Sequence, residues 1–312
     1  MAKVSKWIEA SPAEYTADVA VRGLRSRFAP LQYYLVMAAC KPEEDIEYVH
    51  QLRTWSRRAA AAACVFEEFL PPRRARWLNK QLRRIRRASN DARDDDVFAA
   101  RLAKDSVHPE ALRLLARVRE HRAAAQPPLV DIYRRLSDNR RLEKRLTKLL
   151  KRVRWRGADS EHGTPQFGTW AVCRLRVVVD GFFDAGADLT TAEALHQFRI
   201  WVKRLRYTME LLGGAFQATL QAEVYPLTVS LQEKLGELND FTTAQQRLEN
   251  WIELSSSAED VAYLQTLLAD AQTRWEHCRA AFFVWWTPER QRQLRECFDR
   301  TLGNRSPQAS CA

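Results

Sequence analysis

The sequence predicts an all-α protein, and three observations carry that prediction. Glycine is scarce, with ten among 312 residues and none between Leu24 and Arg156. Ala, Leu, Arg, Glu and Gln, the strongest helix formers, abound. The breakers that do occur cut the chain into helix-length pieces. Pro42 precedes a segment that stops at Pro71-Pro72, a second segment runs from Arg73 to about Asn90, and Pro127-Pro128 opens a strongly basic segment that ends near Gly157. The stretch GADSEHGTPQFG, 157–168, has the Gly, Ser and Pro content of a linker. Beyond it the pattern predicts helices over about 168–186, 191–212, 218–237, 240–254, 258–283 and 288–302, with Gly213-Gly214 as a C-cap or turn.

Hydrophobic residues at 46% and charged residues at 29% suit a globular chain with a core of its own. No apolar run approaches the roughly 18 residues of a membrane span, and the N-terminus MAKVSKWIEASPAEY lacks the apolar stretch of a secretion signal. The six cysteines (Cys40, Cys64, Cys173, Cys278, Cys297 and Cys311) are scattered, with no CxxC pair. That usage points to reduced thiols in a cytoplasm rather than a disulfide framework or a zinc site.

The net charge of +11 is segregated along the chain. Residues 50–93 carry a net +9, residues 134–156 another +9, and residues 214–273 a net −7. Two concentrated basic blocks create a local positive field that attracts polyanions.

An internal repeat organises the chain. EYVHQLRTWSRR at 47–58 returns as EALHQFRIWVKR at 193–204, an offset of 146 residues, and Arg93-Asp94 corresponds to Asn239-Asp240 at the same offset. A shared offset at two distant landmarks implies two homologous helical halves related by a pseudo-twofold axis. The expected boundaries are 1–156 for the first half, 157–168 for the linker, 169–304 for the second half and 305–312 for a C-terminal tail.

On a helical wheel of about 100° per residue, His50, Arg53 and Arg57 share one narrow stripe, and Leu52, Trp55, Ala59 and Phe66 lie opposite it. In the second copy His196, Arg199, Lys203 and Arg206 face away from Phe198, Trp201, Leu205, Met209 and Leu212. The apolar side is the core, so each histidine-led cationic ridge points away from it. Arginine presents a fork of donors suited to phosphate oxygens, and a histidine beside an anion gains charge. Two further basic stripes follow. One is Arg73, Arg76, Lys80, Arg83, Arg84 and Arg87, whose second-half equivalents are not basic. The other, after Pro128, comprises Arg134, Arg141, Lys144, Arg145, Lys148, Lys151 and Arg152. Asp94 and Asp240 are expected just before a helix, as N-caps, with the orienting of neighbouring arginines as the second reading. No metal site is read into Asp94-Asp95-Asp96.

This spacing resembles the CHAD family, the conserved histidine α-helical domain, in its two copies of H-x-x-R-x-x-x-R/K-R. Here these are His50, Arg53, Arg57 and Arg58 with Arg93-Asp94, and His196, Arg199, Lys203 and Arg204 with Asn239-Asp240; KRLRYTMELL and LGELND are similar to the family's second half. The resemblance covers roughly residues 13–300. It implies two antiparallel four-helix bundles meeting at a basic central channel, binding of inorganic polyphosphate by residues that would here include His50, Arg53, Arg57, Arg58, Lys80, Arg83, Arg84, Arg87, His196, Arg199, Lys203, Arg204 and Arg206, and association with polyphosphate granules in some members. It implies no catalytic activity and no cofactor. The separate triphosphate-processing domain (CYTH) that some members carry has no room in these 312 residues. The chain departs from the pattern at Ala60, which stands where the second copy has Arg206.

Two other function classes are weighed. A nucleic-acid-binding helical protein would need aromatics exposed for stacking, whereas Trp55, Trp77 and Trp201 fall toward apolar faces; polyphosphate should displace RNA from this protein and not the reverse. A phosphotransfer or metal enzyme using His50 or His196 would need a phosphate-cradling Gly-rich loop or metal-ligand spacing such as HExxH, and neither is found; phosphohistidine or metal-dependent turnover would revive that reading. A structural role through the acidic 214–273 block is the remaining alternative.

Overall fold

The computed structural model describes residues 5–105, 108–157, 163–216, 218 and 220–303, with α-helices as its framework. In chain order they are α1 Thr16–Cys40, α2 Glu47–Val65, α3 Pro72–Ala88, α4 Asn90–Leu102, α5 Pro109–Ala124, α6 Pro127–Ser137, α7 Arg141–Leu150, α8 Phe167–Ala185, α9 Ala192–Leu212, α10 Tyr225–Leu254, α11 Ala258–Trp285 and α12 Pro288–Leu302. The only strand-like pairing among the described residues is an isolated antiparallel bridge between Tyr15 and Gln166, which ties the entry of α1 to the entry of α8. Residues 158–162 of the expected 157–168 linker and the whole tail 305–312, Cys311 included, lie outside the described residues. No described helix is long and apolar enough to cross a membrane.

Capping and proline chemistry account for several helix starts. Proline occupies the first turn of α3, α5, α6, α10 and α12, where its missing N–H costs nothing. The side chains of Thr191, Ser257 and Thr287 accept bonds from backbone N–H groups in the first turns of α9, α11 and α12.

Two expectations change. The predicted helices 218–237 and 240–254 are one helix over most of their length, α10, which runs through Gly236. A mid-helix glycine costs only about 1 kcal/mol, and the packing of a 30-residue helix outweighs it. Conversely, the basic segment after Pro128 is broken. Asn139 and Arg140 adopt φ of 49° and 55°, so α7 turns back instead of continuing α6. Asparagine tolerates this left-handed conformation better than most residues.

Hydrophobic side chains form two cores that both halves share. The larger runs through α1, α2, α3 and α6–α10 to the C-terminal end of α11 and α12. Buried Ala59, Ala62 and Ala63 on α2 allow close helix approach, and Gly181 on α8 leaves the space that the Trp201 ring fills, which a Cβ there would invade. The smaller core brings Phe98 and Leu102 of α4 and Leu114, Leu115 and Val118 of α5 against Leu248 and Trp251 of α10 and Leu264 and Ala271 of α11. The candidate site is a cavity lined by residues of α2, α4, α9 and α10.

Candidate functional site

A cavity of about 660 Å³ opens among these four helices. From α2 come His50, Arg53 and Arg57, and from α9 come Arg199 and Lys203. The first signature ridge and the Arg199–Lys203 part of the second, 146 residues apart, therefore face one space. α4 adds Arg93, Asp94 and Arg101, and α10 adds Asn239, Asp240 and Arg247.

The cavity carries a large uncompensated charge. Its lining holds seven arginine and lysine side chains against two aspartates. Arg247 is committed to an ion pair with Asp95 and Arg101 to one with Asp270 at 3.1 Å. Arg53 donates to the Arg86 carbonyl at 3.0 Å and to Asn90 Oδ1. Among the described residues, Arg57, Arg93, Arg199 and Lys203 have no ion-pair partner, and Arg199 Nε is buried without a hydrogen bond.

Burial, with this crowding added to it, displaces proton equilibria. Burial, reinforced by Arg199 and Arg57, pushes Lys203 down to about 7. Burial and the neighbouring Arg57 lower Arg53 to about 10. Arg199 is lowered by burial and Arg57, with Asp240 opposing. Burial and Arg93 hold His50 below the usual imidazole value, so it is neutral at pH 7 in the free protein. Desolvation leads in each case and the neighbouring cations add to it, and perturbed titration of this kind clusters at functional sites.

The cap reading of the aspartates is corrected. Asp94 lies inside α4 and Asp240 in the middle of α10, where no free N–H groups remain to cap. Both instead sit among the cavity cations: Asp94 acts electrostatically on Arg53 and Arg247, and Asp240 on Arg199 and Lys203. The next two acids face elsewhere. Buried Asp95 meets Arg247 and His121 Nδ1, the latter at 2.8 Å, and Asp96 accepts from Arg122 Nε at 2.8 Å. Among the described residues no group of His, Cys, Asp and Glu converges in a way that would hold a metal ion.

Other expected site residues fall outside the cavity. Arg58 is turned toward the fold, bonding Glu210 of α9 through Nε at 3.1 Å and lying over the Trp55 ring. Arg206 also approaches Glu210, at 3.8 Å, because the two are one helical turn apart. Arg204 stacks over Trp201 with its guanidinium 4.6 Å from the ring centroid. His196 is exposed and borders a separate small cavity of about 50 Å³ beside Arg199 and Asn239. Lys80, Arg83, Arg84 and Arg87 are exposed on α3. Of the second stripe, Arg141, Lys144, Arg145 and Lys148 line an outer groove on α7, and Lys151 and Arg152 are exposed just past its end.

Arg93, Arg101 and Arg247 belong to the cavity without having been expected there. Arg101 and Arg247 are themselves 146 residues apart, so the repeat register, carried past the Asp94/Asp240 landmark, points to both.

The family model of the CHAD domain matches residues 22–249, which span all four helices of the cavity. No curated protein matches the chain significantly. The fold is similar to the crystal structure of the CHAD domain from the plant Ricinus communis, with a TM-score of 0.70 and 18% identity over 95% of this chain and 96% of that one. It is also similar to PptA from Streptomyces chartreusis, with a TM-score of 0.62 and 18% identity over 90% of this chain and 100% of that one. With the family model covering most of its length and the same helical architecture throughout, the chain belongs to the CHAD domain family.

Proposed function

We propose that the protein binds inorganic polyphosphate, as a binding module rather than a catalyst, with the α2/α9 cavity as its seat, and that it associates through this activity with polyphosphate granules. One observation carries the reading: Arg57, Arg93, Arg199 and Lys203 converge on one cavity with no ion-pair partner among the described residues. A linear polyphosphate presents charge at every unit and no base to stack or read, so clustered forks and ammonium groups satisfy its recognition. The cavity's aromatic lining is limited to buried Phe98 and partly buried Phe241. That is poor equipment for single-stranded nucleic acid, which binds through stacking platforms. Neutral His50 offers an N–H donor, and a phosphate beside it would draw its pKa back up.

The test is calorimetric titration with long-chain polyphosphate beside RNA at equal phosphate, at two salt concentrations, together with thermal melting. Polyphosphate is expected to bind more tightly, to displace RNA without being displaced by it, and to raise the melting temperature most at low salt. An unmoved melting temperature at low salt, or RNA displacing polyphosphate, overturns the proposal. Phosphohistidine on His50 or His196 would move the reading to a phosphotransfer enzyme.

Affinity should also depend on pH. Lys203 binds an anion better when protonated, and in the free protein it loses its proton near pH 7. Affinity is therefore expected to fall as pH rises through 7, with binding accompanied by proton uptake above that point. Lys203→Met removes this dependence. Titrations in buffers of different ionisation enthalpy measure the uptake, and a flat profile from pH 6 to 9 in the unsubstituted protein would remove Lys203 from the site.

A further inference from the structure

Two of the cavity arginines are held by acids that stand outside the cavity. Arg101 of α4 and Arg247 of α10 line it at equivalent places in the two halves, 146 residues apart. Asp270 of α11 takes Arg101 through Oδ2, at 3.1 Å, and Asp95 of α4 takes Arg247 through Oδ1. Neither aspartate is part of the lining. Both pairs join α4 of the first half to the α10–α11 hairpin of the second.

Each acid divides its oxygens in the same way. One oxygen goes to the cavity arginine and the other to a residue on the outer surface. Asp270 Oδ1 accepts from Arg274 Nε at 2.9 Å, and His121 Nδ1 lies 2.8 Å from Asp95 Oδ2. Arg274 and His121 are both exposed, and neither lines the cavity. A buried carboxylate that loses its one cation is left uncompensated at high cost. Here each carboxylate keeps a second partner if the arginine leaves. The same division appears at both places, from different residues, around arginines that the repeat makes equivalent.

The arginines also have unused capacity. A guanidinium carries five N–H donors, and Arg247 Nε is buried without a hydrogen-bond partner among the described residues. The Arg247 guanidinium lies 5.8 Å from the centroid of Phe98, which is part of the cavity wall. Releasing either ion pair does not unseat the helices, because α4 and α5 stay packed on α10 and α11 through Phe98, Leu114, Leu248 and Leu264 of the smaller core.

We propose that Arg101 and Arg247 are reserve contacts: Asp270 and Asp95 hold them in the free protein, and a bound polyphosphate draws them into the cavity, leaving Asp270 to Arg274 and Asp95 to His121. This inference rests on the polyphosphate reading of the cavity and adds the ion pairs that binding exchanges. Arg57, Arg93, Arg199 and Lys203 meet the ligand first, having no ion pair to give up. The two reserve arginines follow, each at the cost of its aspartate, so the acids set the affinity without touching the ligand.

The full chain is titrated by calorimetry with long-chain polyphosphate at low salt, beside Asp270→Asn, Arg101→Gln and the two combined, with folding checked by circular dichroism. Asp270→Asn is expected to raise affinity about fivefold, the most that a partly exposed ion pair is worth. Arg101→Gln should lower affinity about fivefold, and adding Asp270→Asn to it should change nothing further, because no arginine remains to be held. His121→Ala, made outside the cavity, is expected to lower affinity about tenfold, since drawing Arg247 away then strands a buried carboxylate; in an Arg247→Gln background it should have no effect. Unchanged or lower affinity in Asp270→Asn, a gain that persists without Arg101, or full affinity in His121→Ala overturns the reserve role while the cavity reading stands. If the unsubstituted protein binds no polyphosphate, the cavity reading falls and this inference with it.

Discussion

Replacing Arg57, Arg199 and Lys203 together, as Arg57→Gln, Arg199→Gln and Lys203→Met, is expected to lower polyphosphate affinity by about a thousandfold and, in the same protein, to raise the melting temperature. The two effects share a cause. Each residue lines the cavity, and among the described residues none has an ion-pair partner. A hydrogen bond to a charged group contributes about 1.5 kcal/mol at the low end, so the loss of three removes about three orders of magnitude in affinity. In the free protein the same cations repel one another. The unfolded chain holds the Lys203 proton up to its ordinary pKa of 10.5, whereas the folded chain holds it only to about 7. The penalty is therefore complete below pH 7 and fades as pH rises from 7 toward 10.5. The gain in melting temperature should accordingly be largest near pH 6 and shrink by pH 10. Calorimetry and melting curves on one preparation read both effects. Unchanged affinity in folded protein would mean that the ligand uses another face, and a fall in melting temperature at pH 6 would mean that the cluster stabilises the fold through contacts of its own.

Much of this site was legible in the sequence, and the residues that were not show why. His50, Arg53 and Arg57 share a wheel stripe, as do Arg199 and Lys203, and all five line the cavity. A polar stripe opposite a core stripe faces away from the core, so helical periodicity finds these five, although it also selects His196, which lies one turn too far along α9 and borders a separate cavity. Arg58 and Arg204 were drawn in by motif identity, although at about 100° per residue each lies roughly 80° from its histidine, off the stripe. Their partners, Glu210 and Trp201, are tertiary facts. Arg206 lies near the stripe but one turn from Glu210, and nothing in MELL marks that glutamate as a buried counter-charge. The aspartates illustrate the opposite difficulty. Their pairing across the repeat was visible, but the continuity of α10 through Gly236 turned an apparent helix start into a helix interior. A glycine that reads locally as a stop becomes a mid-helix position once packing on both sides sustains the helix.

Glu210→Gln is expected to destabilise the fold by about 3–5 kcal/mol, the range for removing one partner from a buried ion pair, without changing the affinity of folded protein for tripolyphosphate. The Glu210 side chain is 1% exposed. Arg58 bonds it from α2 through Nε at 3.1 Å and through a terminal nitrogen at 3.2 Å, Tyr225 of α10 donates its hydroxyl at 2.8 Å, and Arg206 stands 3.8 Å away. Arg27 of α1, itself buried with its pKa lowered to about 10, feels the same carboxylate. One negative charge thus compensates three arginines contributed by α1, α2 and α9. Glutamine keeps the shape and can still accept the Tyr225 bond, so the loss isolates the charge. Adding Arg58→Met to Glu210→Gln should recover part of the stability, because it removes one of the stranded cations, and the double-mutant cycle gives the coupling. Urea denaturation followed by circular dichroism measures all three variants. A loss below about 1 kcal/mol for Glu210→Gln would show that water or movement of the arginines relieves the charge. A parallel fall in tripolyphosphate affinity would show that Arg58 reaches the ligand after all. The expected separation of the two readouts distinguishes the cations that hold α2 and α9 together from those that the same two helices hold open for an anion.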